Sequence, residues 1–345
     1  MTRTFIRGTA LLLLLSFYAA AWLSPVIAPY SHRHQFRDFP FAPPSRIVFQ
    51  NKSGARGPAF QAVRRLDLNP TYAPTGALVP IRFFVRSQPF TWMGLKFQTR
   101  LFGSNDAAQP VFLLGTDELG RDIFSRILFG SRYSLSIGLA AIFFTLVLGV
   151  LMGSLSGYFE GWADRIVMRL SDLFLSLPGL FLILGLRAVF PDLNGRIGLF
   201  LLMVTTFTLL GWASVARVVR GQVLTLKERE HVLYAVSCGA YHARILLRHI
   251  LPFTRNFLLV QGSVLLPAYI IGEVTLTFLG LGVQEPDVSW GNLLHDATSL
   301  RALSDFPWLL TPALAALLSV LAFNYLADEL KLIMDEQRTG RGIGL

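Results

Sequence analysis

Residues 133–157 read YSLSIGLAAIFFTLVLGVLMGSLSG, 25 residues without a charge. As an α-helix rising 1.5 Å per residue, this run is long enough to cross a hydrocarbon core of about 30 Å. Gly149, Gly153 and Gly157 recur every four residues within it. That spacing puts three glycines on one helix face and lets a second helix approach closely. The run therefore predicts a membrane helix with a packing stripe.

The rest of the chain agrees with that reading. Of 345 residues, 53% are hydrophobic and only 15% charged, where a soluble domain carries about 25%. Mean hydropathy is +0.51. Such a composition fits a membrane protein or one very large dry core. Aromatics make up 12%, including 28 Phe, which excludes a disordered chain. The single cysteine, Cys238, allows no intrachain disulfide and no cysteine zinc site.

Further apolar runs follow the same logic. Thr9–Ala28 is 20 uncharged residues behind Arg3 and Arg7. It exceeds the apolar region of a signal peptide, about 7–15 residues, so a retained helix is expected. Leu173–Leu186 is shorter and contains Pro178; extended to about 170–190 it is expected to span as a kinked helix. Ile197–Ala216, residues 256–284 (apolar apart from Glu273) and Phe306–Ala327 complete the set. The expected fold class is an all-α integral membrane protein with six transmembrane helices. A long extracytoplasmic loop or small domain separates helices 1 and 2.

Lys and Arg concentrate in cytoplasmic segments near membrane helices. With the N-terminus inside, the cytoplasmic segments hold 14 basic residues and the two short outer loops hold 3. Both termini are therefore expected in the cytoplasm. The net charge of +10 follows from these flanks and from the long outer segment, so a lipid membrane is expected as a partner and nucleic acid is not. The expected divisions are 1–29 (cytoplasmic end and helix 1), 30–110 (extracytoplasmic insertion), 111–335 (membrane core, with a cytoplasmic loop at 217–255) and 336–345 (cytoplasmic tail). The insertion is rich in proline, which argues against long helices. Val79–Phe90 reads as a short strand or hairpin. A small domain and a wrapped extended loop both remain open.

The chain has no Gly-x-x-x-x-Gly-Lys-Ser/Thr phosphate loop, no His-Glu-x-x-His and no Gly-x-Ser-x-Gly elbow. His32 and His34 lack an evident third ligand, so no metal site and no catalytic residues are expected. The informative stretch is 227–252, KEREHVLYAVSCGAYHARILLRHILP. It reads as a short helix to Cys238, a break at Gly239 and a second helix stopping at Pro252. Val232, Ala235 and Val236 share one face. This pattern fits either docking of a soluble partner or a helix lying on the membrane surface.

Gly239, nine residues, then His249-x-Leu251-Pro252 resembles the EAA loop of ABC importer permeases. The similarity is to the C-type subunit of the dipeptide, oligopeptide and nickel permeases. Residues 114–126, LGTDELGRDIFSR, resemble the segment before the family's second helix. Residues 161–164 (GWAD) with 168–172 (MRLSD), and 278–283 (FLGLGV) with 289–292 (SWGN), are similar to its loops before helix 3 and after helix 5.

The resemblance implies a transport subunit rather than an enzyme, located in the bacterial inner membrane. It also implies a homologous second permease subunit, two ABC ATPase subunits that bind ATP and Mg, and an extracytoplasmic solute-binding protein. Peptides are the implied cargo, with nickel or another small solute as the alternative. The loop implied to contact the ATPase contains Glu230, Leu233, Tyr234, Ala235, Gly239, His249, Leu251 and Pro252. The name-giving Glu-Ala-Ala falls on Leu233, Tyr234 and Ala235, so only the second alanine is kept, and the pairing ATPase stays open.

Glu273 is an intramembrane carboxylate. It suits a translocation-path or inter-subunit contact, or a structural hydrogen bond. Gly115, Thr116, Asp117, Gly120, Arg121 and Asp122 form the motif before helix 2, where Thr116 and Asp117 are expected to cap the helix. Two rivals remain. One is a membrane-anchored receptor or enzyme built on 30–110, which shows no catalytic constellation. The other is a self-contained carrier or channel, which would need several intramembrane charges.

Overall fold

The apolar run at 133–157 lies within a 37-residue helix, Ile123–Phe159. In the computed structural model, residues 12, 15–48, 59–66, 71–104, 109–190, 195–298 and 304–340 are described. They divide into two compact units. One comprises Met1–Leu13, Ser136–Glu273 and Ser319–Leu345; the other comprises Leu14–Leu135 and Val274–Leu318.

In chain order the helices are α1 (15–22), α2 (Ser24–Ile27), α3 (Ile123–Phe159), α4 (Gly161–Ser176), α5 (Gly179–Val189), α6 (Arg196–Lys227), α7 (Glu230–Ser237) and α8 (His242–Arg244). A π-helical turn at Ile245–Ile250 leads into α9 (Leu251–Phe278). Then come α10 (Trp290–Asp296), a 3-10 turn at Pro307–Leu310 and α11 (Thr311–Gly340).

Among the described residues, four stretches are long and apolar enough to cross a membrane: Ile123–Phe159, Ile197–Lys227, His242–Phe278 and Pro307–Glu329. The pair α4–α5 would make a fifth if the two form one broken span. Of the expected first helix, Thr9–Ala28, residues 9–11, 13 and 14 lie outside the described residues; the rest is helical at 12, 15–22 and 24–27.

Several boundaries differ from the sequence expectation. α3 starts ten residues before the uncharged run because its early charge, Arg126, is neutralised by carboxylates. α6 runs eleven residues past Ala216 because Arg217, Arg220 and Lys227 pair with Asp172, Asp164 and Glu160. α9 stops at Phe278 rather than near 284. There Gly280 takes φ +77°, and the N–H groups of Gly280 and Leu281 donate to the carbonyls of Thr277 and Leu276. The expected kinked span at 170–190 is a break: α4 and α5 meet at 100°. Pro178 caps α5 with φ −65° and cannot continue α4, since it lacks an N–H and its ring would clash with the carbonyl four residues back.

The glycine stripe is a helix contact. A Cβ on Gly149 would lie 2.6 Å from Val215 Cβ, one on Gly153 2.4 Å from the Ala216 carbonyl, and one on Gly157 2.8 Å from the Arg220 carbonyl. The partner positions rise with the glycine positions, so α3 and α6 run parallel at this contact. Gly153→Leu is expected to be strongly destabilising, beyond the roughly 1–3 kcal/mol of ordinary overpacking, because backbone rather than a flexible side chain blocks the Cβ. Gly221→Leu is the control, since nothing lies within 4 Å of its Cβ. Melting in detergent, followed by size-exclusion fluorescence, should separate the two variants.

The insertion departs from an all-α description. It carries β1 (Ile47–Val48), β2 (Ala59–Arg65) and β3 (Tyr72–Pro80) as an antiparallel sheet, and β4 (Arg82–Trp92) with β5 (Leu95–Gly103) as a separate hairpin. Phe60, Ala62, Val79 and Val111 form its small core. Val79–Phe90, read as a single strand or hairpin, instead straddles two sheets. Pro80 ends β3, an edge strand of its sheet, where a missing donor is tolerated.

Candidate functional site

The loop after α6 is a helical hairpin anchored from beneath. Arg229 is the N-cap of α7, and Glu230 is its first residue. One face of α7 buries Val232 and Ala235. Val232 joins Val215, Val219, Val223, Ile245 and Ile250 in a dry cluster. Burying such an aliphatic side chain stabilises by about 1.5–3 kcal/mol, so the hairpin is held firmly.

Val236 does not share that burial. It was expected on the inner face, but it is 52% exposed, together with Leu233 (52%) and Tyr234 (74%). The inner stripe is therefore Val232 and Ala235 alone. The outer face is a row of large apolar side chains, with Tyr241 (84%) just beyond the turn.

Gly239 makes the turn. Its φ is +72°, a region costly for other L-residues. Its N–H donates to the Val236 carbonyl at 2.9 Å, and the Ala240 N–H donates to the Ala235 carbonyl at 3.1 Å. These two bonds form a Schellman motif. His242 follows and pairs its Nδ1 with the Tyr158 hydroxyl at 2.8 Å. Pro252, read as the stop of the second helix, does not stop it: the helical path continues to Phe278. The π turn at Ile245–Ile250 carries His249 and directly precedes Leu251 and Pro252. The wider turn relieves the clash a proline ring makes with the carbonyl four residues earlier. The His249 carbonyl lies 3.3 Å from His231 Nε2, which ties the two arms of the hairpin together.

Below the hairpin, ion pairs join α6 to α4 and its preceding residue. Arg220 donates from Nε and one terminal nitrogen to both Asp164 oxygens, at 2.5 and 2.6 Å. Arg217 pairs with Asp172 and Lys227 with Glu160. Beside it, α6 and α9 border a groove of about 930 Å³ lined by Val218, Gln222, Thr225, Phe253, Asn256 and Phe257. Glu273 is fully buried in α9, one turn after Tyr269; the Tyr269 hydroxyl lies 3.1 Å from that of Thr145.

The motif at 115–122 belongs to the other unit. Thr116 and Asp117, expected as helix caps, do other work. Thr116 Oγ1 donates to the Phe39 carbonyl at 2.6 Å and accepts the Ala42 N–H at 2.7 Å. Gly115 and Gly120 have φ +79° and +71°, and a Cβ on either would strike the backbone of Ala42 or Phe36. The motif thus clasps the segment 36–42. The cap is Asp122, whose Oδ2 accepts the Ser125 N–H at 2.8 Å and the Ser125 hydroxyl at 2.6 Å.

Asp117 is the centre of an ion cluster. It accepts from Arg121 Nε at 2.7 Å and from the fully buried Arg126. The two arginines also reach Glu285 at 2.8 and 2.5 Å, and Asp296 at 3.7 and 3.3 Å. The sequence reading missed Arg126, Glu285 and Asp296 as partners, because they lie 159 and 170 positions apart. The motif at 289–292 has a structural reason too: Trp290 is fully buried with its indole N–H on the Ile127 carbonyl, and Asn292 accepts the Ser289 N–H.

Burial pushes the Asp122 carboxyl from 3.8 up to about 7, against the pull of its Ser125 hydrogen bonds. A raised acid pKa favours the folded protein while protonated, so this contribution is full below pH 4 and is lost as pH rises through about 7. Asp122→Asn keeps an acceptor for the cap and removes the charge. It should flatten the dependence of melting temperature on pH between about 4 and 7. Asp122→Ala should show the same flattened profile but lie about 1 kcal/mol below Asp122→Asn, because it also loses the cap.

Residues 146–338 match the family model described as the binding-protein-dependent transport system inner membrane component. The chain is 39% identical over 238 residues to the oligopeptide transport system permease protein OppC of Bacillus subtilis, covering 69% of this chain and 75% of that one. It is 38% identical over 231 residues to the glutathione transport system permease protein GsiD of Pectobacterium atrosepticum, covering 67% and 74%. The dipeptide transport system permease protein DppC of Bacillus subtilis matches at 39% over 222 residues, covering 64% and 67%. The chain is therefore a multi-pass membrane protein that belongs to the family of binding-protein-dependent transport system inner membrane components.

Proposed function

We propose that this chain is the C-type permease subunit of an ABC importer for peptides, and that α7 with the Gly239 turn is the surface on which a separate ATPase subunit docks. The observation that carries the docking surface is the division of α7 into two faces. Val232 locks it to α6 and the π turn and Ala235 is buried, while Leu233, Tyr234 and Val236 stand out as an apolar row. A rigid, anchored helix transmits a push, and an exposed apolar face gives the push something to hold. Leu233 and Tyr234 then take the places of the family's Glu and Ala, so the matching ATPase groove should be apolar.

The remaining assignments follow. ATP and Mg bind the ATPase subunits, not this chain. A homologous second permease subunit completes the translocation path, with Glu273 and the groove at Gln222 and Asn256 as candidate path or subunit contacts. An extracytoplasmic binding protein delivers the cargo. Six spans are supported by the parallel contact of α3 and α6: residues 160–195 must carry the chain back across the bilayer, so α4–α5 counts as one broken span. Six spans put both termini on one side, and the concentration of Lys and Arg at 217–255 favours the cytoplasm for that side, with 30–110 outside. Peptides are favoured as cargo by the oligopeptide, glutathione and dipeptide permeases among its relatives.

The test is reconstitution of this chain in proteoliposomes with its second permease, ATPases and binding protein. Uptake of a labelled peptide driven by ATP inside, with no uptake when the binding protein is omitted, is expected. Binding-protein-dependent uptake of nickel but not of peptides would replace the cargo. Failure of any ATPase to co-purify would overturn the docking surface.

A further inference from the structure

We propose that the tip of the β4–β5 hairpin is a membrane anchor, seated in the outer interfacial layer of the bilayer beside the first helix. The occupant of its exposed apolar face is lipid.

The hairpin descends along a membrane helix. At its open end, Phe102 packs on Phe124 in the first turn of α3, with ring centroids 6.0 Å apart. That turn is nine residues before the uncharged run begins, about 14 Å along the helix axis. Further down, Arg100 donates to the Ala28 carbonyl at 2.8 Å. At the tip, the Trp92 indole N–H donates to the Trp22 carbonyl at 3.1 Å, and the two rings meet edge to face at 5.1 Å. Trp22 lies six residues before Ala28, so the tip reaches about 9 Å below it along the helix.

The tip presents apolar side chains beside the Trp22 contact. The turn Met93–Gly94 carries Met93 at 67% exposure, followed by Leu95 at 64%. Both follow closely on Trp92, which meets Trp22 of α1, and Leu15 and Trp22 of that helix are themselves exposed. Trp22, Trp92 and Phe97 gather at one level, as tryptophans do where bilayer meets water. Lys96 is exposed at the same turn, placed to reach lipid phosphates.

The sheet limits the insertion. Among the described residues, β4 and β5 pair only with each other, so each outer edge needs water or headgroups for its backbone groups. Open edges are not tolerated in hydrocarbon. The tip therefore enters the interface and does not span.

The test places a bimane label at Met93→Cys or Leu95→Cys in the complete transporter, with Cys238→Ser as background. Arg82→Cys, at the opposite end of β4, is the control. The complex sits in nanodiscs of phosphatidylcholine and phosphatidylglycerol. Nitroxide-labelled lipid should quench both tip labels at least threefold more than the Arg82 label, and aqueous iodide should show the reverse order. Equal access of iodide to the tip and to Arg82 would overturn the anchor. Exclusion of both quenchers from the tip would also overturn it, because a protein partner rather than lipid would then cover the hairpin. Two independent tip positions keep the result readable if one label disturbs the turn.

Discussion

Gly239→Pro is expected to strip the ATPase from the purified transporter while leaving the membrane core intact. Proline holds φ near −65°, whereas this turn needs +72°. It also removes the N–H that donates to the Val236 carbonyl. The Schellman turn cannot close, so α7 and the π turn lose their relative placement. The exposed row of Leu233, Tyr234 and Val236 then no longer presents one surface. Recovery of the ATPase in mild detergent should fall at least tenfold, which corresponds to about 1.4 kcal/mol.

Gly239→Ala supplies the graded comparison. Nothing lies within 4 Å of its Cβ, and the N–H is kept. Only the left-handed backbone costs, at about 1–2 kcal/mol, so partial recovery is expected. Both variants should still elute from size exclusion as folded protein in detergent. If Gly239→Pro retains the ATPase at wild-type level, the docking surface lies elsewhere.

Arg126→Met should be strongly destabilising. Arg126 is fully buried and bonded to Asp117, Glu285 and Asp296. Truncating one partner of a buried pair leaves charge uncompensated and typically costs about 3–5 kcal/mol. Asp117 bears most of that loss, being almost wholly buried, whereas Glu285 and Asp296 retain access to water. Burial already raises the Asp296 carboxyl, despite the two arginines that pull it down. Adding Asp117→Asn to Arg126→Met should therefore recover part of the lost stability. A double variant no more stable than Arg126→Met alone would show that the arginine acts through its packing. Melting followed by intrinsic fluorescence in detergent, across all three variants, provides the comparison.

Local features carried the reading of the sequence a long way. The apolar runs at 133–157 and 197–216 marked two helices, and the glycine stripe predicted the close contact that Val215, Ala216 and Arg220 make. Gly239 was legible as a turn because helix ends leave a recurring local signature. Other local rules failed for identifiable reasons. Thr116 and Asp117 have capping chemistry, yet Asp122 caps α3, because Asp117 is committed to two arginines and Thr116 to the segment 36–42. Val236 fits a helical stripe with Val232 and Ala235, yet only two of the three are covered. Pro252 reads as a stop, yet a π turn lets the helix continue through it.

Hydropathy, helix length and family motifs are properties of neighbouring residues, and these alone identified a multi-pass permease subunit. Partner choice is another kind of property. The ion cluster joins Arg126 to carboxylates 159 and 170 positions away. The β4–β5 hairpin meets α1 through Trp22 and Trp92, which are 70 positions apart. Charge and apolar surface set the need for such contacts. Which groups satisfy that need depends on what chain packing brings within a few ångströms, and only the tertiary structure decides that.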